Sequence, residues 1–152
     1  MAFEFSTIGV KLKYCVETSA GTRPTTGYTE IPDIKEIPEV GRTPSQLQVT
    51  NLVDTDHRYI PGVKDSGGDI QFLGNLTASL KTAWASLVSA ANTAWTSNKK
   101  TWFEVAIPNF DSFYFAGLPT DAFLNSMGVD AVAETSLHVI PNEIVGFAAK
   151  ST

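Results

Sequence analysis

Thr50–Asn75 reads TNLVDTDHRYIPGVKDSGGDIQFLGN, and this stretch decides how the chain is organised. It reads as the end of a strand, a long polar loop, a short strand and the threshold of a helix. The loop, Val53 to Gly68, is about as long as a structureless connection in a compact domain gets. Connections of that length are functional or disordered. Its middle carries Tyr59, Ile60, Pro61 and Val63, flanked by Asp54, Asp56, His57 and Arg58 before and by Lys64 and Asp65 after. Apolar side chains at a loop tip are costly to expose unless something covers them. The expectation is a contact arm, with Tyr59-Ile60-Pro61 as its buried anchor and the charges as its rim.

Beyond the loop, Asp69–Gly74 predicts a short strand with Ile70 and Phe72 on one face. Leu76, Leu80, Trp84, Leu87, Ala91 and Trp95 then recur at helical intervals, predicting a helix over 76–97. Asn75 or Thr77 caps its start, and Asn98-Lys99-Lys100 suits its end. Asn75-Leu76-Thr77 also matches a glycosylation sequon, but capping is the simpler reading. Lys81 is the helix's only charge, fewer than an ordinary surface helix carries.

On the N-terminal side, Gly9–Glu17 alternates, with Val10, Leu12, Tyr14 and Val16 on one face of a half-buried strand. Thr18–Gly27 is a loop. Tyr28–Val40 is interrupted by Pro32 and Pro38 and reads as edge segments. Ser45–Leu52 predicts a strand with Leu47 and Val49 facing inward. On the C-terminal side, Thr101–Ile107 and Ser112–Ala116 predict strands, and Leu118–Gly128 is irregular. Val129–Ile140 alternates over a long run that Pro141 ends. The chain is therefore expected to be mainly β, a single domain over 1–152. Its fold is a β-sandwich or partial barrel of about seven or eight strands with one flanking α-helix. Terminal arms extend it at 1–7, with Phe3 and Phe5, and at 141–152, with Ile144, Val145 and Phe147.

Composition excludes several functions. Net charge is −5, and the 11 Lys and Arg residues are scattered, which argues against a DNA-gripping footprint. Charged residues are 18% of the chain, below the usual quarter, which fits equally a surface partly covered by other subunits and a merely low-charge domain. The single cysteine, Cys15, lies in a strand pattern and reads as a packing residue. The N-terminus lacks a signal-peptide pattern and no apolar run reaches a membrane span, so cytoplasmic synthesis and no membrane partner are expected.

The search for chemistry finds no catalytic, cofactor or metal motif. Of the two histidines, His138 sits in a strand pattern as a surface or interface residue. Asp54, Asp56 and His57 lack the spacing of an EF-hand or zinc site. No phosphate loop and no nucleophile elbow are present. The expectation is a non-enzymatic interacting subunit, its candidate contacts being Asp54, Asp56, His57, Arg58, Tyr59, Ile60, Pro61, Val63, Lys64, Phe3, Phe5 and Phe147. A monomeric β-sandwich binding or adhesion module is the alternative from another class, with a small hydrolase more distant.

A strand Pro44-Ser-Gln-Leu-Gln-Val-Thr50 is followed by Asn51-Leu-Val-Asp-Thr-Asp56, Tyr59-Ile-Pro-Gly-Val63, Gly68-Asp-Ile-Gln-Phe72 and the helix. In that order these segments resemble the core of the major tail (tail tube) proteins of long-tailed bacteriophages. The resemblance covers the first two thirds of the chain; the second half agrees in strand content only. It implies a virion tail protein, made in the host bacterial cytoplasm, whose copies form hexameric rings. The inner sheets join into one barrel, and the rings stack into a tube through which DNA passes without specific binding. The long loop would reach the neighbouring ring, the helix would lie outside and the arms would bridge subunits. Tail terminator, tape-measure and tail-tip proteins are the further partners implied. The tube of a contractile tail, a pyocin-like particle or a secretion system is the related alternative.

Closed six-fold pairing removes exposed strand edges, and heterologous contacts propagate along an axis. A charge of −5 per subunit becomes about −30 per ring of six, which would repel phosphate. Glu17, Glu104 and Glu134 are the strand carboxylates whose facing matters for such a channel.

Overall fold

The computed structural model describes residues 4, 6–65 and 68–152. Its elements run β1 (Lys11–Val16), β2 (Thr29–Glu30), β3 (Ile34–Glu36), β4 (Thr43–Gln48), β5 (Tyr59–Asp65), β6 (Ile70–Asn75), α1 (Ala78–Thr96), β7 (Thr101–Ala106), β8 (Ser112–Pro119) and β9 (Glu134–Ala148). Seven strands form one curled sheet in the order β2-β1-β7-β8-β9-β6-β3, a half-barrel closed on one side by α1. Strands β4 and β5 form a separate two-stranded sheet. The mainly-β partial barrel with one helix is as the sequence predicts.

Apolar alternation explains the sheet. Leu12, Ile70, Phe72, Phe103, Val105, Phe115, Leu137 and Val139 all enter one buried cluster. Phe115 stacks with Phe103 at 5.2 Å and with Phe72 at 6.1 Å between ring centroids, near the separations aromatic pairs favour. The helix covers this cluster with Leu80, Trp84 and Leu87. Trp84 Nε1 donates to Thr120 O at 2.7 Å, so the buried indole is satisfied. Thr77 is the N-cap: its Oγ1 accepts from Leu80 N at 3.1 Å and donates to Asp33 Oδ2 at 2.6 Å. Asn98, with φ of 57°, ends the helix in the left-handed conformation.

Four expectations are corrected. Residues 53–68 are not a structureless loop, because Tyr59–Asp65 is strand β5, paired antiparallel with β4. Leu47 and Val49 do not face a core, and Leu47 is 51% exposed. The strand expected from Val129 begins at Glu134, and Val129 is 93% exposed. Pro141 does not end it: β9 continues to Ala148, so most of the expected C-terminal arm belongs to the sheet. Pro141 sits opposite Gly117, and the register shifts between Ala116 and Gly117. A bulge at the sheet's bend accommodates a residue that cannot donate to the ladder. Phe3 and Phe5 lie outside the described residues.

Candidate assembly surfaces

The β4–β5 hairpin is an arm. Its register sets Gln48 opposite Tyr59, Leu47 opposite Ile60, Gln46 opposite Pro61 and Pro44 opposite Lys64, with a bulge between Pro44 and Gln46. Every residue of β4 and all of β5 except Gly62 is exposed. The arm makes no substantial contact with any other strand or with the helix. Because side chains alternate between faces, Leu47 and Ile60 share one face while Tyr59 and Pro61 share the other. A two-stranded ribbon alone is marginal in water, and this one is apolar on both sides.

Polar side chains shape the tip. Asp54 Oδ2 accepts from Asn51 N at 2.9 Å and from Arg58 Nε at 3.0 Å. Asn51 Oδ1 accepts from Val53 N at 3.0 Å, Thr50 Oγ1 accepts from Arg58 N at 2.9 Å, and Gln48 Nε2 meets His57 Nδ1 at 2.9 Å. With the backbone turned inward this way, Leu52 (106% exposed) and Val53 (87%) project into solvent.

The nine candidates from Asp54 to Lys64 therefore come together on one arm, in a rearranged form. Asp54 and Arg58 hold the tip internally instead of acting as its rim. Tyr59, Ile60 and Pro61 lie along the shaft, and the apolar extremity is Leu52-Val53. Phe147 stands apart on β9, 60% exposed, its ring edge-on to Phe110 and Phe113 at 5.7 and 5.2 Å.

A second apolar surface escaped the sequence reading. Residues 121–133 carry Phe123, Leu124, Met127, Val129 and Val132, all exposed. Phe123 N donates to Ser136 O at 3.0 Å and Thr135 Oγ1 donates to Phe123 O at 2.6 Å, which anchors the segment's start alongside β9. The arm is rooted before Ile70, at one end of β6; Leu76, just past its other end, donates from N to Ala133 O at 2.9 Å. The apolar segment thus runs alongside β9 from Phe123, near the arm's end of β6, to Ala133 at the other end. His138, half-buried as its strand pattern allows, pairs through Nδ1 with Asp69 and stacks on Phe123 at 4.4 Å.

The face of the sheet away from the helix is a polar clasp. Glu104 is fully buried, accepting from Tyr114 Oη at 2.7 Å, Ser151 N at 3.1 Å and Ser151 Oγ at 2.7 Å. Arg23 lies over the Tyr114 ring at 4.1 Å, a cation–π contact. Burial pushes the Glu104 carboxyl up, but these hydrogen bonds outweigh it and hold it below the usual carboxylate range. Burial and the bond to Glu104 push Tyr114 up to about 12.

Glu17 is also buried, accepting from Lys100 N at 2.7 Å and Trp102 Nε1 at 3.1 Å. Burial raises its pKa, but hydrogen bonds from Lys100, Trp102 and Gly21 and the Lys100 charge outweigh burial and hold it below the ordinary value. Glu134 pairs with Lys35 at 2.8 Å. All three carboxylates are thus engaged within the subunit, by hydrogen bonds or an ion pair. Among the described residues no group of His, Cys, Asp and Glu is placed to hold a metal ion, and no helix is long and apolar enough to cross a membrane.

No family model matches the chain, and no curated protein matches it. Solved structures do share its fold. A chain in the 6-fold symmetrised cryo-EM structure of the anti-feeding prophage (AFP) baseplate superposes with a TM-score of 0.66 at 9% identity, covering 98% of each chain. A chain of the native gene transfer agent (GTA) virion gives 0.60 at 14% identity, over 96% of this chain and 100% of that one. A chain of an extracellular contractile injection system, the PVC sheath-tube complex in its extended state, gives 0.59 at 8% identity, over 97% and 93%. The chain thus has the fold of tail-related structural proteins from phage-like and contractile injection particles. That fold agrees with the sequence resemblance to tail tube proteins.

Proposed function

We propose that this protein is the repeating subunit of a tail tube, a structural protein without a catalytic step. Copies join side by side into rings, six being the expected number. Rings stack into a hollow conduit for DNA from capsid to host cell, and the protein resides in the virion tail. The observation that carries this reading is the arm: an ordered hairpin, apolar on both faces and at its tip, that makes no substantial contact with any other strand or with the helix. An arm of that kind calls for a partner, and a head-to-tail contact with the next ring supplies one. Tail terminator, tape-measure and tail-tip proteins would meet the tube's ends and lumen.

A second reading keeps the tube and changes the particle. The likeness to chains of the AFP baseplate and the PVC sheath-tube complex supports the tube of a contractile system, which a sheath would surround. Negative-stain microscopy of the purified full-length protein at rising concentration tests both. Rings or hollow tubes are expected. A protein that stays monomeric at high concentration, alone and with other tail components, overturns the proposal and favours a monomeric binding module.

A further inference from the structure

Two apolar surfaces of the subunit are uncovered, and the charges beside them are opposite. Segment 121–133 exposes Phe123, Leu124, Met127 and Val132. It also holds two exposed carboxylates, Asp121 and Asp130, and no lysine or arginine. Neither carboxylate makes a hydrogen bond or ion pair with another described residue. The β4–β5 arm carries the complementary set. Leu47 and Ile60 are exposed on one face and Tyr59 on the other. At its root, Arg42 and Lys64 line one cleft of about 220 Å³ beside residues 141–144 of β9. Glu143 in that cleft is taken by Lys100 at 2.8 Å. Arg42 also borders Glu39 and Asp69 in a neighbouring cleft, without an ion pair to either. Among the described residues, neither Arg42 nor Lys64 has an anionic partner.

We propose that the arm of one copy lies on segment 121–133 of a copy in the next ring. Its apolar side chains cover those of the segment, and its root cations, Arg42 and Lys64, are set against the segment's carboxylates. The inference rests on the tube reading above and adds the surface that receives the arm. Both patches are exposed within one subunit, so they do not cover each other there. Apolar area of this kind is seldom left bare, and a single contact between copies covers both patches while joining opposite charges. Met127 suits the receiving side, because its unbranched side chain adapts to the shape laid on it. The two patches differ, so every bound copy still offers a free arm and a free segment, and the contact propagates along an axis. An arm-to-arm dimer would cover one patch and leave the other exposed.

Charge exchange in the full-length chain tests the contact. One variant combines Arg42→Glu with Lys64→Glu. The other combines Asp121→Lys with Asp130→Asn, since asparagine tolerates the left-handed backbone (φ of 57°) that Asp130 holds. Each should raise the concentration needed for assembly at least about tenfold, because like charges then face each other, with circular dichroism unchanged. All four changes in one chain should bring assembly back toward the wild-type concentration. A combined variant no better than the two doubles, or a double that assembles like wild type, overturns this contact and leaves the tube reading standing. A wild type that never assembles overturns both. A second measurement reads the contact without altering charge. In assemblies grown from mixed isotope-labelled subunits, Ile60→benzoylphenylalanine should crosslink to a peptide from residues 121–133 of another chain. Attachment to another arm, to the helix or to no second chain would sink the proposal.

Discussion

Arg58 donates from Nε to Asp54 Oδ2 across 3.0 Å, and the same carboxylate oxygen takes the Asn51 N–H at 2.9 Å. One side chain therefore closes the turn that leaves Leu52 and Val53 outermost. Exposed ion pairs add at most about 1 kcal/mol, so the value of this pair lies in the shape it imposes. Replacing Leu52 and Val53 by Ser is expected to leave the unfolding free energy within about 0.5 kcal/mol of wild type while abolishing ring stacking. Denaturant melts and negative-stain images of the same preparation read the two quantities. Tubes of normal length from the double variant would remove the tip from the contact.

Shortening the arm is a stronger test. Deleting only Arg58–Lys64 would strip β4 of its partner and leave unpaired backbone groups. Pro44 and Lys64 are a paired couple at the root, and opposed strand residues sit about 5 Å apart. Replacing 45–63 with a two-residue Asn-Gly turn therefore closes the hairpin at its base. The core lies elsewhere, so far-UV circular dichroism should retain the native signature while particles stop at single rings or subunits. An unfolded product would make the arm a core element.

The arm also shows what a sequence reveals and what it hides. The helix was legible because Leu80, Trp84 and Leu87 face one core and so keep its period. Strands β6 and β7 were legible for the same reason. β5 was not, because no core imposes alternation on a strand exposed on both faces, and Pro61-Gly62 inside it reads as a turn. Val129, Ala131 and Ala133 misled in the opposite sense: they alternate like a strand but lie before β9, and Val129 is exposed. The clasp around Glu104 joins residues 47 apart, a distance over which sequence spacing carries no signal.

Gly117 marks where β8 and β9 bend together. A Cβ built there would lie 2.5 Å from Val139 Cγ1 and 2.7 Å from Ile140 O. The carbonyl belongs to the ladder and cannot swing away, so Gly117→Ala must move backbone. Overpacking of this kind costs about 1–3 kcal/mol. The urea midpoint of Gly117→Ala should fall accordingly, and Gly41→Ala, with nothing within 4 Å of its Cβ, is the control. An unchanged midpoint in Gly117→Ala would show that the bend tolerates a methyl group.

Glu104 makes acid stability a test of the clasp. Its carboxylate receives both donors of Ser151 and the Tyr114 hydroxyl while fully buried, and the net result is a folded-state pKa below the ordinary value. An unfolded glutamate titrates near about 4.3. Above that pH the folded and unfolded chains both hold the group ionised, and its stabilisation is fully present. As pH falls below it, the unfolded chain takes up the proton first, and the contribution fades until the native value is passed. Glu17 acts in the same direction. The urea midpoint should thus drop steeply as pH falls below about 4.3, and Glu104→Gln should flatten part of that slope because amide and acid no longer differ. Glu104→Ala, which leaves Ser151 N and Oγ without their acceptor and the Tyr114 hydroxyl with only Ala149 O at 2.7 Å, should cost about 1–3 kcal/mol at neutral pH. If Glu104→Gln keeps the full wild-type slope, the acid sensitivity belongs to other carboxylates and the C-terminal residues are not held by charge.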